Sequence, residues 1–298
     1  MVSKGMRRVL KLLEKRNEIE IHNRVRESRE SLDSLAALVD LPSEITLTHI
    51  EINGMNAVWI DSPEADSQKV ILYLHGGGYI EGSLSSHQDL AMRIGKASKA
   101  RILLIDYRLA PENPFPAALN DAVSAYEWLI EKQGIPSSQV IIAGDSAGGG
   151  LTIATLLRLK ELAKALPSAA ICLSPWTDLA MEGDSIKANS NQDKFLKLYD
   201  LLFMASLYIQ DKYPKNPLIS PLYGDLSGLP PLFIQVGSLE ILLDDAARLA
   251  KKAEKAGVDV KLDVWDDMIH VFQAFADWAP EGEEAIKKIG QFAQAHFG

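Results

Sequence analysis

The chain has 298 residues, 47% of them hydrophobic and 24% charged. That length and apolar fraction suit one large hydrophobic core and exclude wholesale disorder. Forty acidic residues against 31 basic ones leave a net charge of −9, which excludes a broad nucleic-acid footprint because that needs clustered positive charge. The single cysteine, Cys172, excludes an internal disulfide framework and fits a reducing compartment.

Residues 7–39 are charge-rich, with Val9, Leu12, Leu13, Leu32, Leu35, Ala36 and Leu38 at helical spacing, and are expected to form one or two amphipathic helices. From residue 45 the texture changes to short β-rich runs, 45–52 and 57–60, separated by the hairpin signal Asn53-Gly54. Uninterrupted apolar runs follow at 70–74, 102–105, 140–143, 169–173 and 232–236, as expected for strands covered on both faces. Helical periods at 117–132, 147–164 and 244–256 lie among them, so the pattern predicts a mostly parallel sheet flanked by helices. The last strand, 258–264, alternates Val258, Val260, Leu262 and Val264 with Asp259, Lys261 and Asp263, and reads as an edge strand with one wet face. Residues 178–220 interrupt the rhythm. They hold a polar stretch, then an apolar-rich helical one at 195–209, and read as an insertion over the carboxyl end of the sheet, where open α/β folds take their ligands. No apolar run reaches the ~18–20 residues of a membrane span. The first twenty residues contain no signal-peptide core, so the expected location is the cytoplasm.

The sharpest motif is Gly144-Asp145-Ser146-Ala147-Gly148-Gly149-Gly150, which fits Gly-x-Ser-x-Gly with a strand before it and a helix after it. That context defines a nucleophile elbow, in which a serine on a strained tight turn projects its oxygen at a helix amino end. The competing reading is a glycine-rich helix start with a capping serine. A second motif, His75-Gly76-Gly77-Gly78-Tyr79, follows the strand at 70–74; its glycines let backbone amides converge on one point, as anion stabilisation in acyl transfer requires. A phosphate loop is disfavoured because the Gly-Lys-Ser/Thr ending is missing. His75 reads as a residue that holds the loop by hydrogen bonds.

A serine nucleophile needs a base and the base an orienting acid. Of six histidines, His22, His49 and His296 read as surface or structural residues, and His87 follows no strand although it neighbours the glycine loop in sequence. His270 lies just past the last strand and comes last in chain order, as the serine–acid–histidine order demands. The acid belongs in the loop after 232–236, where Glu240 is closest to the strand end. Asp244 and Asp245 compete there, and both read as first-turn helix residues favoured by the dipole.

With these residues in hand, the chain resembles the hormone-sensitive-lipase-like (bacterial type IV) carboxylesterases of the α/β-hydrolase fold over about residues 45–290. The resemblance rests on His75-Gly76-Gly77-Gly78, Asp106-Tyr107-Arg108-Leu109-Ala110-Pro111-Glu112 with Pro114-Phe115-Pro116-Ala117-Ala118, the Ser146 motif, and His270-Val271-Phe272. It implies an oxyanion hole of Gly77, Gly78 and Ala147 amides, and a triad of Ser146, Glu240 and His270. The family's usual acid is Asp; here that position holds Glu240, and Asp244 stays as the alternative. The resemblance also implies a helical cap from residues 1–44 and 178–220 over a core of 45–177 and 221–298, and homodimers paired through strand 258–264. The expected function is hydrolysis of short- to medium-chain acyl esters through an acyl-enzyme, without metal or cofactor and without a nucleic-acid or membrane-spanning role. Two rivals stand beside it: another acyl hydrolase, such as an amidase or lactonase, and a non-catalytic small-molecule receptor on the same scaffold.

Overall fold

The computed structural model describes residues 23–34 and 39–298. Much of the expected N-terminal amphipathic region therefore lies outside the described residues, as does His22. Within them, 23–34 form a helix, α1.

Among the described residues eight strands make one sheet: β1 (Thr46–Ile52), β2 (Met55–Asp61), β3 (Asp66–Leu74), β4 (Ala100–Ile105), β5 (Val140–Asp145), β6 (Ala169–Leu173), β7 (Leu232–Gly237) and β8 (Val260–Trp265). Their order is β1-β2-β4-β3-β5-β6-β7-β8. The β1–β2 and β2–β4 pairings are antiparallel and the rest of the sheet is parallel. β1 and β2 meet through a two-residue turn in which Asn53 (φ 51°) and Gly54 (φ 86°) both take left-handed angles, matching the strand twist. The flanking helices are α2 (Leu84–Ser98), α3 (Ala117–Glu131), α4 (Ala147–Glu161), α7 (Leu243–Lys255) and α8 (Pro280–His296). Between β6 and β7 lie α5 (Ser185–Ala188) and α6 (Leu198–Ile209), with no strand among them.

The solid apolar runs acquire their meaning from the two-residue strand period. Val70, Leu72, Val140, Ile142, Ala170, Cys172, Leu232 and Ile234 face one core, shared with α3, α4 and α7 through Leu119, Leu151 and Leu249. The intervening Ile71, Tyr73, Ile141, Ala143, Ala169, Ile171 and Phe233 face a second core with Leu90 and Ile94 of α2 and Ile286 and Ile289 of α8. Cys172 is fully buried, as its apolar run implies, and burial pushes its thiol far above the ordinary range.

β8 is an edge strand, at the opposite end of the sheet from β1. Its polar face is only partly wet: Lys261 sets its ammonium over the Phe233 ring at 4.6 Å, and Asp263 lies 3.6 Å from Lys288 of α8. Val264, expected on the packed face, is 45% exposed.

Candidate active site

The parallel strands β3, β5, β6 and β7 end on one side of the sheet, and the loops that follow them, with the segment after β8, carry every candidate residue. After β5 the chain reverses at Ser146, whose backbone sits at φ 53°, ψ −120°, a strained conformation for a non-glycine residue. The turn is this tight because α4 starts at once: a Cβ on Gly148 would lie 1.9 Å from the Leu74 carbonyl oxygen, so only glycine lets α4 approach β3. The Ser146 amide donates to Leu173 O at 2.8 Å and the Ser146 carbonyl accepts from Trp176 N at 2.9 Å, which locks the turn against β6.

The glycine loop after β3 is held by its carbonyls. His75 Nδ1 meets Gly76 O at 2.7 Å, and Gly77 O accepts from the Ile80 and Glu81 amides at 3.0 Å each. In a trans peptide the N–H points opposite the C=O. Fixing these two carbonyls therefore turns the Gly77 and Gly78 amides the other way, and neither amide has a hydrogen-bond partner among the described residues. Gly77 (φ 108°) and Gly78 (φ 60°) take angles that a side chain would oppose. His75 stacks on Tyr107 with ring centroids 4.1 Å apart, and burial with the nearby His87 charge brings its pKa down to about 3. A permanently neutral, structural imidazole agrees with the role read from sequence.

His270 and Glu240 come together. His270 Nδ1 meets Glu240 Oε2 at 2.8 Å, both side chains being buried. The other carboxylate oxygen, Oε1, accepts from Gly237 N at 2.6 Å and Ser174 Oγ at 2.7 Å. Asp244 is elsewhere: its Oδ2 accepts from the Ser185 amide at 2.8 Å. Asp245, expected as a first-turn helix residue, is at the start of α7 and fully buried, with Oδ2 accepting from the Thr177 and Asp178 amides at 2.7 Å each. Burial first and the Asp178 charge second push its pKa up to about 8.

Ser174 escaped the sequence reading. Its hydroxyl donates to Glu240 and accepts from Val271 N at 3.1 Å, joining the acid to the residue after His270. The available signal was positional: it is the first residue past β6, at the edge where the other loops converge.

A cavity of about 390 Å³ opens over Ser146, and Gly77, Gly78 and His270 line it. Its apolar wall comes from Leu32 of α1, Phe195, Leu201 and Met204 around α6, and Phe275 and Trp278 after β8. Its polar wall is Glu81 and the first residues of α2. An imidazole backed by a carboxylate, a hydroxyl on an elbow and unspent amides share one cavity, which is the equipment of acyl transfer.

This fold and this site define a hydrolase of the α/β class. The chain belongs to the α/β-hydrolase family, whose model matches residues 71–274, and within it to the hormone-sensitive-lipase-like bacterial esterases. An acetyl-hydrolase from Streptomyces hygroscopicus is 45% identical over 249 residues, 84% of this chain and 83% of that protein. An esterase from Acinetobacter venetianus is 36% identical, covering 89% of this chain and 87% of its own. The crystal structure of an esterase from the bacterial hormone-sensitive lipase family superposes with a TM-score of 0.90 at 44% identity, covering 92% of both chains. Among the described residues no helix is long and apolar enough to cross a membrane.

Proposed function

We propose that the protein hydrolyses short- to medium-chain carboxylic esters with Ser146 as nucleophile, His270 as base and Glu240 as orienting acid. The observation that carries this is the 2.8 Å His270 Nδ1–Glu240 bond beside the cavity that Ser146 lines. His270 Nε2 takes the hydroxyl proton as Ser146 Oγ bonds to the ester carbonyl carbon. The amides of Gly77, Gly78 and Ala147 hold the resulting oxyanion, and the amino end of α4 adds its dipole. The C–O bond to the alcohol then breaks, and His270 returns the proton to the leaving alkoxide. In the second half His270 deprotonates water, which attacks the acyl carbon; the Ser146 oxygen leaves with that proton and frees the acid. Glu240 stabilises the imidazolium throughout.

The preference for shorter acyl chains is supported by the enclosing wall of Leu32, Leu201 and Met204, which makes a pocket rather than an open lipid-binding face. The relative named acetyl-hydrolase points the same way. We read residues 1–44 and 178–220 as the cap over a core of 45–177 and 221–298; α6 laid against the glycine loop supports this, with Tyr208 stacked on Tyr79 at 3.8 Å. Pairing of two copies through the edge strand β8 belongs to the same reading, and sedimentation with and without Val264→Lys tests it.

The deciding experiment is turnover of p-nitrophenyl esters from two to sixteen carbons by the parent and Ser146→Ala. Activity concentrated at short chains and lost in the variant is expected. Retention of most of the activity by Ser146→Ala sinks the assignment. A folded parent that turns over none of the esters and fails to label with a fluorophosphonate favours the receptor; labelling with turnover of matched amides only favours an amidase.

A further inference from the structure

His87 lies outside the triad, yet it touches both halves of the serine machinery. It is the fourth residue of α2, whose start is fixed by a capping box: Ser83 Oγ accepts from Ser86 N at 3.1 Å and Ser86 Oγ accepts from Ser83 N at 2.8 Å. The Ser86 hydroxyl also meets His87 Nδ1 at 2.7 Å, which sets the imidazole's orientation from behind. On its other edge, Nε2 stands 3.2 Å from the Gly76 amide nitrogen and 3.4 Å from Asp145 Oδ2. Asp145 is the residue immediately before Ser146, and its Oδ1 accepts from the same Gly76 amide at 3.1 Å and from Tyr73 OH at 2.9 Å. One imidazole edge thus bridges the elbow and the first glycine of the loop, at a point lining the cavity.

We infer that His87 is a positioning residue, which acts with Asp145 to hold the Gly76 peptide and through it the direction of the Gly77 amide. The Gly76 N–H is held by Asp145 Oδ1 at 3.1 Å, Asp145 is held in turn by His87 Nε2 at 3.4 Å, and the Gly76 C=O is held by His75 at 2.7 Å, so one imidazole fixes this glycine directly and the other through the carboxylate. The two rings lie 5.3 Å apart. The charged groups facing His87 fit the clamp. Burial raises the Asp145 carboxyl, but the His87 charge and the His87 and Tyr73 hydrogen bonds outweigh it and leave the pKa below its ordinary range, so Asp145 stays an acceptor for Gly76. Burial raises the Glu81 pKa, opposed by Ser28, His87 and Arg29, so that carboxyl competes less for the imidazole. An amide that is aimed before substrate arrives costs no reorganisation in the transition state, and a small misplacement of such a donor can cost about a hundredfold in rate.

The kinetic arm of the test rests on the esterase reading; the exchange arm does not. His87→Ala and His87→Gln are compared with the parent for kcat and KM on p-nitrophenyl butyrate, for inhibition by an alkylboronic acid, and for hydrogen exchange of the Gly76 amide. The folded state of each is checked by circular dichroism. Gln can reach Asp145 with an amide nitrogen where Ala cannot. The expected result for Ala is a kcat lower by about tenfold to a hundredfold with KM within about threefold. Boronate inhibition weakens by the same factor, Gly76 exchanges at least about tenfold faster, and Gln restores most of each. An unchanged kcat with unchanged exchange overturns the inference. So does an effect on KM alone, which makes His87 a wall of the substrate cavity, and so does a Gln variant no better than Ala. A parent inactive on every ester overturns the esterase reading instead, and the Gly76 exchange rate still decides the role of His87.

Discussion

Asp245 gives the sharpest test of the electrostatics. Its carboxyl is fully buried at the start of α7 with Asp178, also fully buried, beside it. Asp178 is well served, by Tyr223 OH at 2.9 Å and the Arg248 guanidinium at 2.7 Å. Asp245 keeps one oxygen, Oδ1, with no partner among the described residues. Burial and the neighbouring carboxylate raise its pKa from 3.8 to about 8. Between those values the folded chain holds a proton that the unfolded chain has lost, so stability falls as pH rises, by about 1.4 kcal/mol per pH unit in mid-window. From pH 6 to pH 8, where the folded group itself begins to ionise, the loss is about 2 kcal/mol. For a 298-residue chain with an unfolding entropy of ~2.1 cal/mol/K per residue, that is a Tm change of about 4 °C. Asp245→Asn mimics the protonated acid, keeps an oxygen for the Thr177 and Asp178 amides, and cannot ionise. Thermal unfolding of both proteins across pH 5–9 should show the parent losing stability relative to the variant as pH rises toward 8, the gap between the two curves widening by about 4 °C from pH 6 to pH 8. Parallel curves over the whole range would refute the placement of an ionising carboxyl at this site.

Glu240→Gln should lower kcat/KM by about three to four orders of magnitude, as loss of a triad carboxylate does, whereas Asp244→Asn should change it less than about tenfold. Steady-state kinetics on p-nitrophenyl butyrate separate the two. Ser174→Ala removes the hydroxyl between Glu240 and Val271, so kcat should fall by about tenfold at unaltered KM. Gly78→Ala places a Cβ 2.1 Å from Met204 Sδ at φ 60°; kcat should fall by about a hundredfold, and adding Met204→Ala should recover only the part due to the clash.

Much of this fold was legible because parallel strands advertise themselves as solid apolar runs, and because a nucleophile elbow requires glycine where α4 meets β3. The elbow, the glycine loop, His270 and Glu240 were all legible from their places just past strand ends, since ligand sites of such sheets gather there. The α2 and α8 helices were not read, although their apolar residues recur at helical spacing. β3 and β4 are parallel neighbours, and that pairing alone demands a crossover between them, which α2 supplies. Passing over α2 also hid His87: in sequence it follows no strand, and only the helix brings it back against Gly76 and Asp145. Ser174 and the burial of Asp245 are tertiary facts. A hydroxyl after a strand and an acid in a first helical turn are both ordinary surface features until the neighbouring loop is laid over them.

That neighbouring loop explains why a second carboxylate stands so near Glu240. Asn189 donates to the Ser238 and Glu240 carbonyls at 3.1 and 2.8 Å, and Asp193 Oδ2 accepts from Ile241 N at 2.9 Å. Ser185 donates to Ile241 O at 2.7 Å and accepts from Asp244 N at 3.0 Å, while Asp244 accepts in return from Ser185 N. Residues 185–193 are therefore fastened to the backbone of the acid loop along its length. Asp244 serves the fastening and Glu240 the imidazole, and neither can exchange roles without breaking buried hydrogen bonds. At its other end the insertion is fastened by Tyr208, whose ring stacks on Tyr79 and whose carbonyl accepts from Phe115 N at 2.9 Å. The insertion thus holds Phe195, Leu196, Leu201 and Met204 in place as part of the cavity lining, with Phe195 (54%) left exposed.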